Sequence, residues 1–386
     1  MSLGGLYILA GGGSGGHLCP GLAVADALVR AEPDAEVRFL VTDRAIDRSI
    51  LEGTGYGFEP QAVRPFPSLR RVGDVKAFLG AWRKSLRQCE GLLGEMNGRA
   101  KAVLGLGGYA SGPMLRTAGR YGVGRALLNP DARGGLANRY GARFAERIFV
   151  QWPEALAFFS RHADRCVVTG CPVRAGFEPI EADVRQEEAR RARLELGLDP
   201  EMAVLAIMGG SQGGRNLNEA FVHLLRTRGL ELRGWQLWHQ AGQADAGRLT
   251  EAYAQAGISA RVTAYEPRMH LVLRGSDLVV SRAGASTLAE LTAVGVPAIL
   301  LPYPYHRDQH QRLNAEVLSR AGAAEVVTDR CEAAGTAAGL ARAFDRCLGE
   351  GVRKRMAAAA RRLHRFGAAE RVARELMELA QGHGGH

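Results

Sequence analysis

No stretch of this 386-residue chain reaches the ~18–20 consecutive apolar residues that a membrane-spanning helix needs. Residues 1–9 lack the basic n-region and small-residue cleavage site of a secretory signal, which predicts a cytoplasmic protein. Lysine is nearly missing, occurring only at Lys76, Lys84, Lys101 and Lys354, so the formal charge of +10 is carried by arginine. No nucleic-acid motif accompanies that charge, and no nucleic-acid partner is expected. The cysteines (Cys19, Cys89, Cys166, Cys171, Cys331, Cys347) form no CxxC and no paired spacing. They read as reduced thiols and argue against a disulfide or zinc framework. No Gly-Lys-Ser/Thr follows a glycine loop, so a Walker site is excluded. Nor is there a hydrolytic triad, a metal-ligand cluster or a DxD-type carboxylate pair at a strand end; neither cofactor nor metal is expected.

What the chain does have is enough apolar sequence, 46% of residues against 23% charged, for two α/β cores of ~150–200 residues. Apolar β-rich runs at 6–10, 37–41, 102–106, 147–150, 204–208, 278–281 and 298–302 alternate with helical patterns. The helices are predicted at 20–31, 75–93, 217–225, 286–293 and 309–320. This alternation is the mark of parallel βαβ sheets. The segment 6–16, an apolar strand running into a glycine turn with serine, is echoed by 204–214. Two such openings predict two similar Rossmann-like domains, with a boundary near 170–174 and a charged helix at 185–196. Residues 353–380 read as one Ala/Arg/Glu-rich helix and 382–386 as a flexible tail.

The glycine-rich turns carry the chemistry. Residues 11–16 lie between strand and helix, where free N–H groups and the helix dipole favour an anion. Gly11, Gly13 and Gly16 satisfy GxGxxG, but the acid a dinucleotide site wants ~20 residues later is poorly placed; the candidate is Asp43. His17 follows the loop and is a candidate proton acceptor, or else a residue that packs the helix start. Residues 105–113 form a second glycine-rich turn of the first half. In the second half, Ser211 in the 209–214 loop offers a hydroxyl and amides to a diphosphate. Arg282 and Glu290 follow a strand at 278–281, with Glu290 suited to the two hydroxyls of a ribose. Asp308, His310, Gln311 and Asn314 gather near a helix start and suit sugar hydroxyls.

Taken together and in order, these motifs resemble those of the MurG family: 11–17 with Pro20, 107–113, 169–174, 209–213, 282–290 and 310–315. The resemblance spans about residues 6–325. It implies a GT-B fold, two Rossmann-like parallel-sheet domains around a deep cleft. The implied acceptor domain is 1–172, completed by a C-terminal helix at about 363–380, and the implied donor domain is 173–362. It further implies an inverting, metal-independent transfer of GlcNAc from UDP-GlcNAc to the MurNAc 4-hydroxyl of undecaprenyl-linked lipid I, giving lipid II. Carried over by residue, Ser211 with Gln212 holds a donor phosphate and Glu290 the ribose. Arg174 lies near the nucleotide, and the backbone around Glu266 and Met269 near the uracil. Arg282, Gly284, Ala285 (through its amide), His310 and Gln311 surround the GlcNAc or its phosphates. Ser14, Gly15, Gly16, His17, Gly108, Tyr109 and Ser111 take the acceptor, with His17 the candidate base.

One run departs from the family. Where a His-Glu-Gln-Asn run before Gly-Leu-x-Asn is usual, this chain has Leu128-Asn129-Pro130-Asp131 before Gly135-Leu136-Ala137-Asn138. Asp131 is therefore an acceptor-side candidate, by hydrogen bonding or as a second possible base. A lipid-carried acceptor also implies peripheral attachment to the anionic cytoplasmic membrane surface. Phe66, Leu69, Val72, Val75, Phe78, Leu79 and Trp82 are interleaved with Arg70, Arg71, Lys76, Arg83, Lys84 and Arg87, as in interfacial segments. The ordinary reading of the helical stripe at 75/78/79/82/86 is a core-facing face; the loop before it, with Phe66 and Leu69, is the better membrane candidate. Three other readings stand beside this one. They are a GT-B enzyme with another acceptor, a nicotinamide-dependent oxidoreductase using 11–16, and a non-catalytic nucleotide-sugar binding protein.

Overall fold

The computed structural model describes residues 5–67, 72–96, 98–178, 184–209, 214–228, 234–305 and 308–383. The chain divides into two compact units, Met1–Arg174 with Gly367–His386, and Ala175–Phe366.

The first unit opens on β1 (Leu6–Gly11), whose residues are all buried, as a strand covered on both faces requires. It continues through α1 (Gly15–Ala31), β2 (Glu36–Val41), α2 (Ala45–Leu51), β3 (Gly57–Pro60) and α3 (Val72–Glu95). Then come β4 (Ala100–Gly107), α4 (Ser111–Ala118), β5 (Gly124–Asn129), α5 (Leu136–Gly141), β6 (Arg147–Val150) and β7 (Cys166–Val168). The strands form one parallel sheet in the order β3-β2-β1-β4-β5-β6-β7. The order reverses between β1 and β4, and open α/β sheets hold ligands at the carboxyl ends of the strands flanking such a reversal. Gly11 of β1 pairs with Gly107 of β4. The two glycine-rich turns therefore leave the sheet side by side.

The second unit repeats the plan. Its elements are α6 (Arg185–Glu195), β8 (Ala203–Met208), α7 (Arg215–Arg228), β9 (Trp235–Gln240), α8 (Ala246–Ala256) and β10 (Ala260–Thr263). They are followed by α9 (Met269–Gly275), β11 (Leu278–Ser281), α10 (Ala285–Val294), β12 (Ala298–Leu300), α11 (His310–Arg320), β13 (Ala324–Val326), α12 (Ala333–Cys347) and α13 (Glu350–Leu363). The sheet order is β10-β9-β8-β11-β12-β13, and Met208 pairs with Ser281 at its reversal point.

The last helix, α14 (Ala368–His383), belongs to the first unit. Val372, Ala373, Leu376 and Ala380 join the core on the α1 side of that sheet. Each buried Val or Leu there contributes ~1.5–3 kcal/mol. Ion pairs Arg30–Glu370 at 3.0 Å and Arg147–Glu375 at 3.1 Å border the contact.

Several boundaries differ from the sequence reading. The helix expected at 20–31 starts at Gly15 and carries Pro20 within it. The single helix expected at 353–380 is two, because Gly367 turns to φ 66° between α13 and α14. Gly382 and His383 lie in α14 rather than in a tail, held partly by the His383 Nδ1 contact to the Leu379 carbonyl at 2.9 Å. The core-facing stripe of α3 is not the one at 75/78/79/82/86. Its buried positions are Ser85, Cys89, Leu92 and Leu93, while Leu79 is 46% exposed.

Candidate active site

In the first unit the site is built on the loops after β1, β4 and β5. Gly13 donates its amide to both carboxylate oxygens of Asp47, at 2.8 Å each. Asp47 also accepts from Thr42 through its amide at 3.0 Å and its hydroxyl at 2.5 Å. This carboxylate is fully buried, and a Cβ on Gly12 would stand 2.4 Å from its Oδ2. Asp43, by contrast, is exposed. The acid engaging the loop is thus Asp47, which takes up the Gly13 amide. Past Asp47's reach, Ser14 is the N-cap of α1 with no side-chain cap bond, and no acid stands in the first turn. Gly15 and Gly16 begin the helix there, and their end of it favours an anion.

His17 points one face at its own loop. Its Nδ1 lies 3.2 Å from the Gly12 carbonyl and 3.2 Å from Ser14 Oγ. Donated to the Gly12 carbonyl, an Nδ1 proton would leave Nε2 as the basic nitrogen, the tautomer a general base needs. The ring rests on the β4 turn: a Cβ on Gly107 would come within 3.2 Å of His17 Cδ2, and one on Gly108 within 3.2 Å of Cε1. Both glycines have positive φ, 96° and 71°. The turn is glycine-rich because both positions take left-handed backbone, and the histidine ring crowds any side chain there.

The β4 and β5 loops are joined by two buried asparagines. Asn138 accepts the Gly108 amide at 3.1 Å and donates to Asn129 Oδ1 at 2.7 Å. Asn129 in turn donates to the Asp131 carbonyl at 2.7 Å. Asp131 is half-buried on the loop following β5. Ser111 donates to the Gly108 carbonyl at 2.9 Å, so its hydroxyl shapes the turn. The Tyr109 hydroxyl stands 3.7 Å from the Cβ position of Gly13.

In the second unit, Ser211 and Gln212 lie outside the described residues. The turn after β11 is well defined. Gly284 caps α10 with no side-chain bond and no acid in the first turn, so the Ala285 end is open to negative charge. Gln311 locks the neighbouring backbone: its Oε1 accepts from Ala283 N at 3.2 Å and Tyr303 N at 2.9 Å. That fixes the Gln311 amide group as a donor. His310 Nδ1 sits 2.8 Å from Asp308 Oδ1. Glu290 is half-buried on the second turn of α10. Arg282 does not stand alone: Nη1 donates to Asp329 Oδ2 at 2.8 Å and to the Leu301 carbonyl at 3.2 Å.

Glu266 turns its carboxylate onto Arg268, accepting from the amide and from Nε, each at 3.0 Å. Burial alone raises its pKa, but the Arg268 bonds and charge outweigh it and hold the carboxyl below its usual value. Its side chain thereby shapes the turn that starts α9 at the half-buried Met269. Arg174 is half-buried at the end of the first unit's main segment. Among the described residues, no group of three or more His, Cys, Asp or Glu is arranged to hold a metal ion.

The family model described as "Glycosyltransferase family 28 N-terminal domain" matches residues 7–150, and "Glycosyltransferase family 28 C-terminal domain" matches 204–372. A protein of Desulforudis audaxviator named UDP-N-acetylglucosamine--N-acetylmuramyl-(pentapeptide) pyrophosphoryl-undecaprenol N-acetylglucosamine transferase is 36% identical over 330 residues. The aligned region covers 84% of this chain and 85% of that protein. The same-named protein of Geobacter sulfurreducens is 36% identical over 378 residues, covering 96% and 97%. The crystal structure of Acinetobacter baumannii MurG matches with a TM-score of 0.73 and 25% identity, covering 97% of this chain and 99% of that one. The chain belongs to the MurG family. Its two parallel-sheet units are those of the GT-B class, and its enzyme class is hexosyltransferase.

For a MurG-family chain the glycine turns, His17 and Gln311 were legible as motifs. Asp47 and Asp329 were not, and Asn129 and Asn138 were visible only as part of a motif. Each is a lone polar residue whose importance comes from burial, and no spacing rule announces burial.

Proposed function

We propose that this chain transfers GlcNAc from UDP-GlcNAc to the MurNAc 4-hydroxyl of undecaprenyl-linked lipid I, with inversion and without a metal ion. The observation that carries the reading is the arrangement around α10. A helix start without cap or acid stands beside a Gln311 side chain held by two backbone amides. Such a start stabilises the charge that builds on a departing nucleoside diphosphate. In this account the second unit is the donor domain. Ser211, Gln212, Gly284, Ala285 and Arg282 take the diphosphate, Glu290 the ribose, and the Glu266–Met269 turn with Arg174 the base end. His310 and Gln311 take the sugar hydroxyls.

The first unit is the acceptor domain. Ser14, Gly15 and Gly16 face the lipid diphosphate with Gly108, Tyr109 and Ser111. His17 Nε2 takes the proton of the 4-hydroxyl as that oxygen bonds to C1 of GlcNAc. The C1–O bond to UDP breaks on the opposite face. Asp131 is the second candidate for the base, and its presence favours, as runner-up, a related transferase with another acceptor. Acceptor-dependent UDP release separates the two: lipid I must stimulate it, and stimulation only by a different acceptor supports the runner-up.

Among the described residues no helix is long and apolar enough to cross a membrane. We place the enzyme peripherally on the inner face of the cytoplasmic membrane. Phe66 stacks on Phe78 at 5.1 Å, Phe78 on Trp82 at 6.0 Å, and Trp82 meets Tyr140 edge-on at 5.6 Å. Phe66 is 54% exposed, and Lys76, Arg83, Lys84, Arg87, Arg116, Arg139 and Arg143 are exposed as well. Aromatic rings among cations suit an anionic interface. Trp82 also lies 2.8 Å from the Cβ position of Gly112, in the first turn of α4, beside the acceptor loop. Leu69, Arg70 and Arg71 lie outside the described residues.

A further inference from the structure

Asp329 is a buried carboxylate on the loop between β13 and α12, and no sequence motif points to it. Its side chain is 0% exposed. Three segments meet on it: Arg282 Nη1 at 2.8 Å, Asn216 Nδ2 at 3.3 Å from each oxygen, and the Cys331 amide at 2.8 Å. Arg282 follows β11 and Asn216 lies in the first turn of α7. The network therefore spans carboxyl-end loops on both sides of the β8/β11 reversal point. The Leu301 carbonyl, just past β12, takes the second Arg282 bond, and the guanidinium stands 5.8 Å over the Tyr303 ring.

We propose that Asp329 is a positioning residue for the donor diphosphate, acting through Arg282. The inference rests on the reading of Arg282 as a donor ligand. A guanidinium on a flexible stem loses entropy when it grips a ligand, unless a partner has already fixed it. Here the Arg282 side chain is 11% exposed and clamped. Among the described residues both of its hydrogen bonds use Nη1. The Nε and Nη2 edge is the one left to a diphosphate, in the parallel-fork geometry phosphates accept. The carboxylate sets which edge that is. It also ties the guanidinium to the start of α7, directly after the Ser211 loop.

The test is a double-mutant cycle on UDP affinity by titration calorimetry, with kcat and KM for UDP-GlcNAc alongside. Asp329→Ala should weaken UDP about tenfold, and Asp329→Asn by less, since the amide keeps an oxygen for the Cys331 N–H. The Arg282→Ala/Asp329→Ala pair should bind no worse than Arg282→Ala alone. A structural role predicts otherwise: the two losses multiply, or Asp329→Ala lowers the melting temperature with UDP affinity intact. Either result overturns the proposal, as does an Arg282→Ala variant with unchanged affinity. If Asp329→Ala does not fold, Asp329→Asn and its pair with Arg282→Ala decide by the same criteria. Wild-type protein that binds UDP but does not transfer GlcNAc contradicts the proposed function alone, because the cycle needs only UDP. Wild-type protein that does not bind UDP overturns both.

Discussion

Asn138 donates its side-chain amide to Asn129 Oδ1 at 2.7 Å, a buried bond between α5 and the end of β5. Through the other ends of the two amides, the Gly108 turn under His17 is tied to the Asp131 carbonyl. Asn138→Ala leaves the Gly108 N–H and Asn129 Oδ1 without this partner, at a cost of ~1–3 kcal/mol. The larger effect should fall on the acceptor. Its kcat/KM drops about ten- to a hundredfold, because sub-ångström shifts at a reacting centre are costly, while the KM for UDP-GlcNAc stays put. Steady-state kinetics with each substrate varied checks this; a raised UDP-GlcNAc KM would contradict it.

Asp47 is the keystone of the first glycine loop. Asp47→Ala removes the acceptor of two amides and a buried hydroxyl, and should destabilise the chain by ~2–4 kcal/mol in urea unfolding. Gly12→Ala should also destabilise it, since φ is 146° and the new Cβ would collide with the same carboxylate. Wild-type unfolding midpoints in both variants would mean that the loop is not held this way.

The contrast between these residues and the motifs explains what the sequence could disclose. Strands such as β1 and β8 announced themselves as apolar runs, and the glycine turns as backbone requirements, because both are local properties. β9 was not seen, since Trp235–Gln240 mixes aromatics with His and Gln. Those polar side chains are nonetheless buried: His239 pairs with Tyr253 at 2.7 Å and Asn218 at 3.1 Å. Asp47 and Asp329 escaped as well, since partners such as Gly13 and Arg282 come from elements remote in sequence. His17 was legible as a candidate; its contact with the Gly12 carbonyl was not.

His239 carries a pH signature. Burial pushes its pKa down to about 3, whereas in the unfolded chain histidine titrates near ~6.5. Between those values the unfolded chain binds a proton that the folded chain refuses. Stability therefore falls as pH drops below ~6.5, by about 1.4 kcal/mol per unit for this group, and is unaffected by it above. His364, lowered by burial to about 4, adds a second slope of the same sign. His239→Gln should remove one of the two slopes between pH 6.5 and 4, read from denaturant midpoints. An unchanged pH slope would show that His239 titrates normally.

The aromatic face of α3 should be separable from chemistry. Phe66→Ser with Phe78→Ser should abolish sedimentation with anionic vesicles at low salt, and leave transfer to a soluble lipid I analogue within about twofold of wild type. Partly exposed rings of this kind contribute to binding an interface rather than to the core. Undiminished sedimentation would place the membrane contact elsewhere.

Inverting transfer of GlcNAc is tested most directly by its product. UDP-GlcNAc is incubated with a lipid I analogue, and the anomeric coupling of the disaccharide is read by proton NMR. The account predicts acceptor-dependent UDP release and a GlcNAc–MurNAc disaccharide with a β-1,4 linkage. An α-linked product, or UDP release that leaves the acceptor unglycosylated, would contradict it.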